Sequence, residues 1–166
     1  MTMHAPHLRE LVIRPAMRRL GLWSEAAEEL LMGTAAQESL LGRYLAQMGP
    51  STGSGEAYGP ALGIFQMEVA THDDCWNNYL VYRGDLAAHL LKVCVPKLSR
   101  VEQLVWNLQY AAAMCRVQYH RFKEPLPDPQ DVAGLARYWK SHWNTAQGKG
   151  TVEEFVRNYS AMVEGR

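Results

Sequence analysis

The sequence predicts a mainly α-helical single domain, and three observations carry that prediction. Apolar residues recur at three- and four-residue steps over most of the chain. Helix-start signals recur: Ser24 ahead of Glu25, the pair Ser99 and Glu102, and the pair Thr151 and Glu154. Turn-forming residues concentrate in a few stretches, above all MGPSTGSGEAYGPALG, Met48 to Gly63.

Taken in order, Leu8 to Leu20 reads as a short amphipathic helix that Pro15 breaks or kinks. Residues 1–23 then form an N-terminal helical extension packed on the rest. Ser24 caps a helix running to about Gln47, and short strands fall between Tyr58 and Met67. Thr71 and Asp85 cap two short helices, the second stopped by Pro96. A long helix from Ser99 to about Phe122 repeats Leu104, Leu108, Ala111, Cys115, Tyr119 and Phe122, the pattern of a central buried helix. Asp128 and Pro129 open the next helix, which ends before NTAQGKG, and Thr151 starts the last.

The bulk composition narrows the function classes. The 166 residues include 17 basic and 17 acidic side chains. A zero formal net charge gives no basic excess for nucleic acid or an anionic membrane. No apolar run spans a bilayer. The first residues show no secretory signal, so synthesis in the cytoplasm is expected. Cys75, Cys94 and Cys115 have neither zinc nor disulfide spacing and read as free packing residues. The histidines show no ligand spacing, so no metal and no cofactor is expected.

Three stretches carry candidate chemistry. In GTAAQESLL, Glu38 sits on an apolar stripe with Leu31, Thr34, Ala35, Leu41 and Leu45, and no cation shares it. Desolvation there raises a carboxyl pKa and suits a general acid. The bland alternative is a glutamate that reaches solvent at the helix edge. Gly33 and Gly42 leave room for a ligand beside it. In YGPALGIFQME, Gln66 offers an amide that could hold a sugar N-acetyl group, or could be an ordinary exposed hairpin residue. In LARYWKSHWNTAQGKG, Tyr138, Trp139 and Trp143 are either sugar platforms or core, and Asn144 is the best polar candidate.

The order of these motifs is more specific than any one of them. Glu38-Ser39, then Gly63-Ile64-Phe65-Gln66, then Asn107-Leu108 in a long helix, then His142-Trp143-Asn144 resembles the soluble lytic transglycosylase domain of the lysozyme-like superfamily. The resemblance covers roughly residues 24–150, and the chain also looks like the stand-alone versions found among bacteriophage proteins. It implies a helical bundle with a small β-hairpin lobe flanking a substrate cleft. It implies cleavage of the β-1,4 bond between N-acetylmuramic acid and N-acetylglucosamine in peptidoglycan. Glu38 would be the catalytic acid and base. Ser39, Tyr58, Phe65, Gln66, Asn107, Tyr138, Trp143 and Asn144 would support the acid or bind the glycan. Delivery would be by a virion or alongside a holin, with action on the cell wall after release or injection.

Two departures stand out. His142-Trp143 replaces the family's Ala-Tyr, which removes the hydroxyl expected to orient the acid and leaves Tyr138 as the neighbour that could replace it. The interval from Glu38 to Gly63 is longer than the family's. A second carboxylate could be Glu56, Glu68, Asp73 or Asp74, with Glu56 in the turn-rich region. A transglycosylase, a hydrolytic muramidase and a non-catalytic virion or wall-binding protein all remain open.

Overall fold

The computed structural model describes residues 2–48, 58–144 and 148–165. It is mainly helical, with a small antiparallel sheet. The chain begins with a continuous helical run: α1 (Ala5–His7), a π-helical stretch (Leu8–Ile13) and α2 (Arg14–Arg19). Pro15 does not break it. The π-helical stretch ends just before it, with the Arg14 N–H on the Arg9 carbonyl, and this wider turn accommodates the ring.

Helix α3 (Glu25–Ser39) starts where Ser24 accepts the Ala27 N–H at 3.1 Å. It ends eight residues short of the predicted Gln47. Leu40, Leu41 and Gly42 all take positive φ, and the Leu41 N–H turns back to the Ala35 carbonyl at 3.0 Å. The Ser39 hydroxyl holds this strained turn. It donates to the Ile64 carbonyl at 2.6 Å and accepts the Gly42 N–H at 2.8 Å. The chain then enters the sheet β1 (Ala46–Met48), β2 (Tyr58–Leu62) and β3 (Met67–Glu68), ordered β1-β2-β3. Ala46 pairs with Leu62, and Met48 with Tyr58.

Helices α4 (Val69–Asn78), α5 (Gly84–Leu91), α6 (Arg100–Trp106) and α7 (Leu108–His120) follow. Several predicted caps shift. Helix α4 starts before Thr71, and Asp85 lies inside the first turn of α5. Ser99 and Glu102 do form a reciprocal capping box. The predicted long helix is divided at Asn107, whose extended backbone closes α6 and whose side chain caps α7. The chain continues through α8 (Val132–Trp139), a π-helical extension (Lys140–Asn144) and α9 (Val152–Tyr159). Asp131, not Asp128, caps α8; Asp128 instead accepts the Gln130 N–H in the turn before it. The Thr151–Glu154 capping box forms as predicted.

Helix α7 is the central buried helix, with every residue from Tyr110 to Val117 buried. One face joins a cluster with α3, α8, α9 and the N-terminal helices; the other joins α4, α5 and α6. Leu8, Ile13 and Met17 are fully buried in the first cluster, so the N-terminal extension is part of the main core. It is also tied by charge. Glu28 is only 2 % exposed and accepts from Arg9, Arg14 and the Trp23 indole. Burial alone would raise the Glu28 pKa, but these donors together hold it below the usual carboxylate value. All three cysteines are free, with Cys75 and Cys115 buried. Among the described residues no helix is long and apolar enough to cross a membrane.

Candidate active site

A cleft of about 880 Å³ opens between the sheet and the end of α8, with Glu38 in its lining. Glu38 sits in the last turn of α3, just before the left-handed turn that Ser39 stabilises. The sheet and its β2–β3 turn supply Glu68 and Gln66 to the lining, α4 supplies Thr71, and α7 and the residues just after it supply Gln118 and Phe122. The far wall is Ser141 to Asn144 and Gly148 to Gly150.

Among the described residues the Glu38 carboxyl has one hydrogen-bond donor, the Trp139 indole N–H, 2.8 Å from Oε1. Burial pushes the Glu38 pKa up to about 7; the indole bond pulls the other way but is outweighed. Such a carboxyl is partly protonated near neutrality, the condition a general acid requires. Trp139 is fully buried and packs on Phe155 with ring centroids 5.4 Å apart. Its donor is therefore fixed in place.

Trp139, a sugar platform or core residue on the sequence, is core, and its bond to Glu38 is the site contact the sequence did not show. The expected replacement, Tyr138, does not fill the role: it is buried and its hydroxyl donates to the Glu124 carbonyl at 3.2 Å. The signal that could have found Trp139 is elementary. A buried indole N–H needs an acceptor, and Trp139 lies one turn before Trp143 in the candidate segment.

The other predicted residues divide. Gln66, Trp143 and Asn144 line the cleft with Glu38. Gln66 adopts φ 50°, and its amide NH₂ donates to the Gly63 carbonyl at 2.7 Å, which leaves its carbonyl end for the cleft. Asn144 is the reverse. Its Oδ1 accepts from the Lys140 ammonium at 2.6 Å, and among the described residues its NH₂ has no acceptor. Lys140 also donates to the carbonyls of Gly148 and Gly150, both at 2.8 Å, and so holds the far wall together.

Further predictions are corrected. Phe65 is core, 1 % exposed, and not a sugar contact. Ser39 is wholly buried and acts on the turn behind the acid. Asn107 spends its amide on the Val93 carbonyl, Gln103 and the Tyr110 N–H, away from the cleft lining. Gly33 does not admit a ligand: a Cβ there would overlap the Phe155 ring. Gly42 serves the left-handed turn, with φ 81°. The Tyr58 side chain and Glu56 lie outside the described residues.

Gly63 has a reason the sequence did not show. Its φ is 74°, and a Cβ would run into the Leu104 carbonyl of α6, so only glycine lets the sheet meet that helix. Among the carboxylates considered, Glu68 lines the cleft and is exposed. Asp73 pairs with His72, and Asp74 with Arg121.

Comparison of the chain with known protein families, with curated proteins and with solved structures finds no match in any of the three.

Proposed function

We propose that the protein is a peptidoglycan-cleaving enzyme of lysozyme-like fold that acts as a lytic transglycosylase. The observation that carries this reading is the Glu38 carboxyl: in a cleft, with a pKa of about 7, and held by a single indole donor. The Glu38 O–H gives its proton to the glycosidic oxygen. The C1–O bond breaks, and its electron pair stays with the departing N-acetylglucosamine oxygen. The muramoyl 6-hydroxyl then bonds to C1 and returns its proton to the Glu38 carboxylate, leaving a 1,6-anhydro end. One carboxyl serves as acid and then as base, with the substrate supplying the nucleophile. Trp143 offers a partly exposed indole at the cleft for a pyranose face, and Gln66 and Asn144 offer an acceptor and a donor for polar groups on the sugars. The setting would be the bacterial cell wall, reached after release or virion delivery.

Glu68 favours a second reading, a hydrolytic muramidase. A second carboxylate in the lining of the same cleft is what a glycosidase uses to activate water. The two readings differ in product. Purified peptidoglycan digested by the wild-type protein should yield 1,6-anhydro ends by mass spectrometry; reducing ends would select hydrolysis. Glu38→Gln keeps an acceptor for Trp139 but cannot supply the proton, so it should clear cell walls roughly 10²–10⁴-fold more slowly. Equal clearing by both proteins would remove Glu38 from the chemistry. Binding without clearing by the wild type would make the protein a non-catalytic wall-binding component.

A further inference from the structure

Gln118 lies on α7, in the cleft wall beside Thr71 and Phe122. Its side-chain carbonyl is fully engaged: it accepts from the Arg121 guanidinium at 3.0 Å and from the Cys75 thiol at 3.3 Å. A guanidinium can only donate, so the end it meets must be oxygen, and the orientation of the amide follows from chemistry. Arg121 is itself held by an ion pair with Asp74 on α4. The Gln118 NH₂ has no protein acceptor among the described residues, and no buried side-chain nitrogen or oxygen there lacks a partner. The NH₂ is therefore open to the cleft. A clamp running from Asp74 through Arg121 to Gln118 presents a donor there. The same logic makes the cleft end of Gln66 an acceptor.

We propose that Gln118 is a specificity-determining residue: its NH₂, turned outward by the Asp74–Arg121 clamp, donates to the carbonyl oxygen of a sugar 2-acetamido group. This rests on the glycan-cleaving reading given above. An acetamido group has one acceptor and one N–H donor, and the two fixed amides of the cleft offer the complementary pair. A free 2-amino group at neutral pH is a cationic donor and has no acceptor for Gln118. The protein therefore discriminates N-acetylated from de-N-acetylated glycan, with Arg121 as a positioning residue that sets which end of Gln118 the substrate meets.

The test measures kcat/KM on N-acetylated and on chemically de-N-acetylated peptidoglycan, and reads the ratio of the two. Gln118→Leu should lower the wild-type ratio about tenfold, the effect of one lost neutral hydrogen bond. Gln118→Glu replaces the donor with an anionic acceptor and should lower the ratio further, since the carboxylate attracts the free amine. Arg121→Met should lower the ratio less than Gln118→Leu, because the amide can then rotate. Thermal melting of each variant, and binding of both glycans to the Glu38→Gln protein with and without Gln118→Leu, separate folding and turnover from recognition. Ratios within twofold of wild type in both Gln118 variants, in a protein that cleaves, would overturn the role of Gln118 and leave the enzyme reading intact. A folded wild type that neither cleaves nor binds either glycan would overturn both.

Discussion

Trp139 governs how the proposed acid behaves. Its indole N–H favours the ionised form of Glu38, against a larger push from burial. Activity that depends on the protonated acid should decline as pH rises through about 7. In Trp139→Phe the bond is gone and the Glu38 pKa rises further. The alkaline limb of the pH–rate profile should then move to higher pH, while kcat at the optimum falls roughly tenfold as the carboxyl loses its orientation. A limb that stays put would show that Glu38 does not set it. This residue also marks the limit of local reasoning. Glu38 was legible because three- and four-residue spacing identifies its own helix neighbours. Its donor lies 101 residues away in sequence, where spacing says nothing.

At the scale of elements, two glycines set close approaches that periodicity cannot report. Gly33 lets α3 lie against the Phe155 ring of α9, and Gly63 lets the sheet lie against the end of α6. Gly33→Ala should cost about 1–3 kcal/mol by overpacking, since Phe155 is fully buried and has little room to move. Gly63→Ala should cost more, because it adds a left-handed backbone to a clash with a carbonyl that cannot swing aside. Urea midpoints would rank the two; the reverse order would contradict the geometry. Helix identity and the two capping boxes were legible because caps are local chemistry. The end of α3 was not, because the left-handed turn at Leu40 and Leu41 is stabilised by a hydroxyl bond to Ile64, a tertiary contact. Likewise Asn107 looked like a helix interior residue, yet it divides α6 from α7.

At the scale of the whole molecule, Glu28 joins the N-terminal helices to α3. Its folded pKa is depressed, so it contributes stability above its unfolded pKa, near 4.5, and loses that contribution as pH falls through the folded value. Glu28→Ala takes the carboxylate from Arg14 and the Trp23 indole, while Arg9 keeps Glu29, and should destabilise by about 1–3 kcal/mol near pH 7. The deficit relative to wild type should narrow as pH falls below 4.5, measured by denaturant unfolding across pH. A pH-independent deficit would mean that packing, not charge, is what Glu28 provides. The prediction of a mainly helical chain succeeded because amphipathic periodicity is distributed over the whole sequence. The role of residues 1–23 as core did not show, because their burial depends on partners in α3 and α7.

The anchoring of the sheet has a consequence for how this chain can tolerate change. Strands β1 and β2 pair from Ala46–Leu62 to Met48–Tyr58, and the sheet is fastened behind the acid by Ser39 and at α6 by Gly63. The two fastenings lie on neighbouring residues, Gly63 and Ile64, yet they hold different helices. Loss of the Ser39 hydroxyl alone should therefore loosen the turn behind the carboxyl and leave the sheet seated on α6.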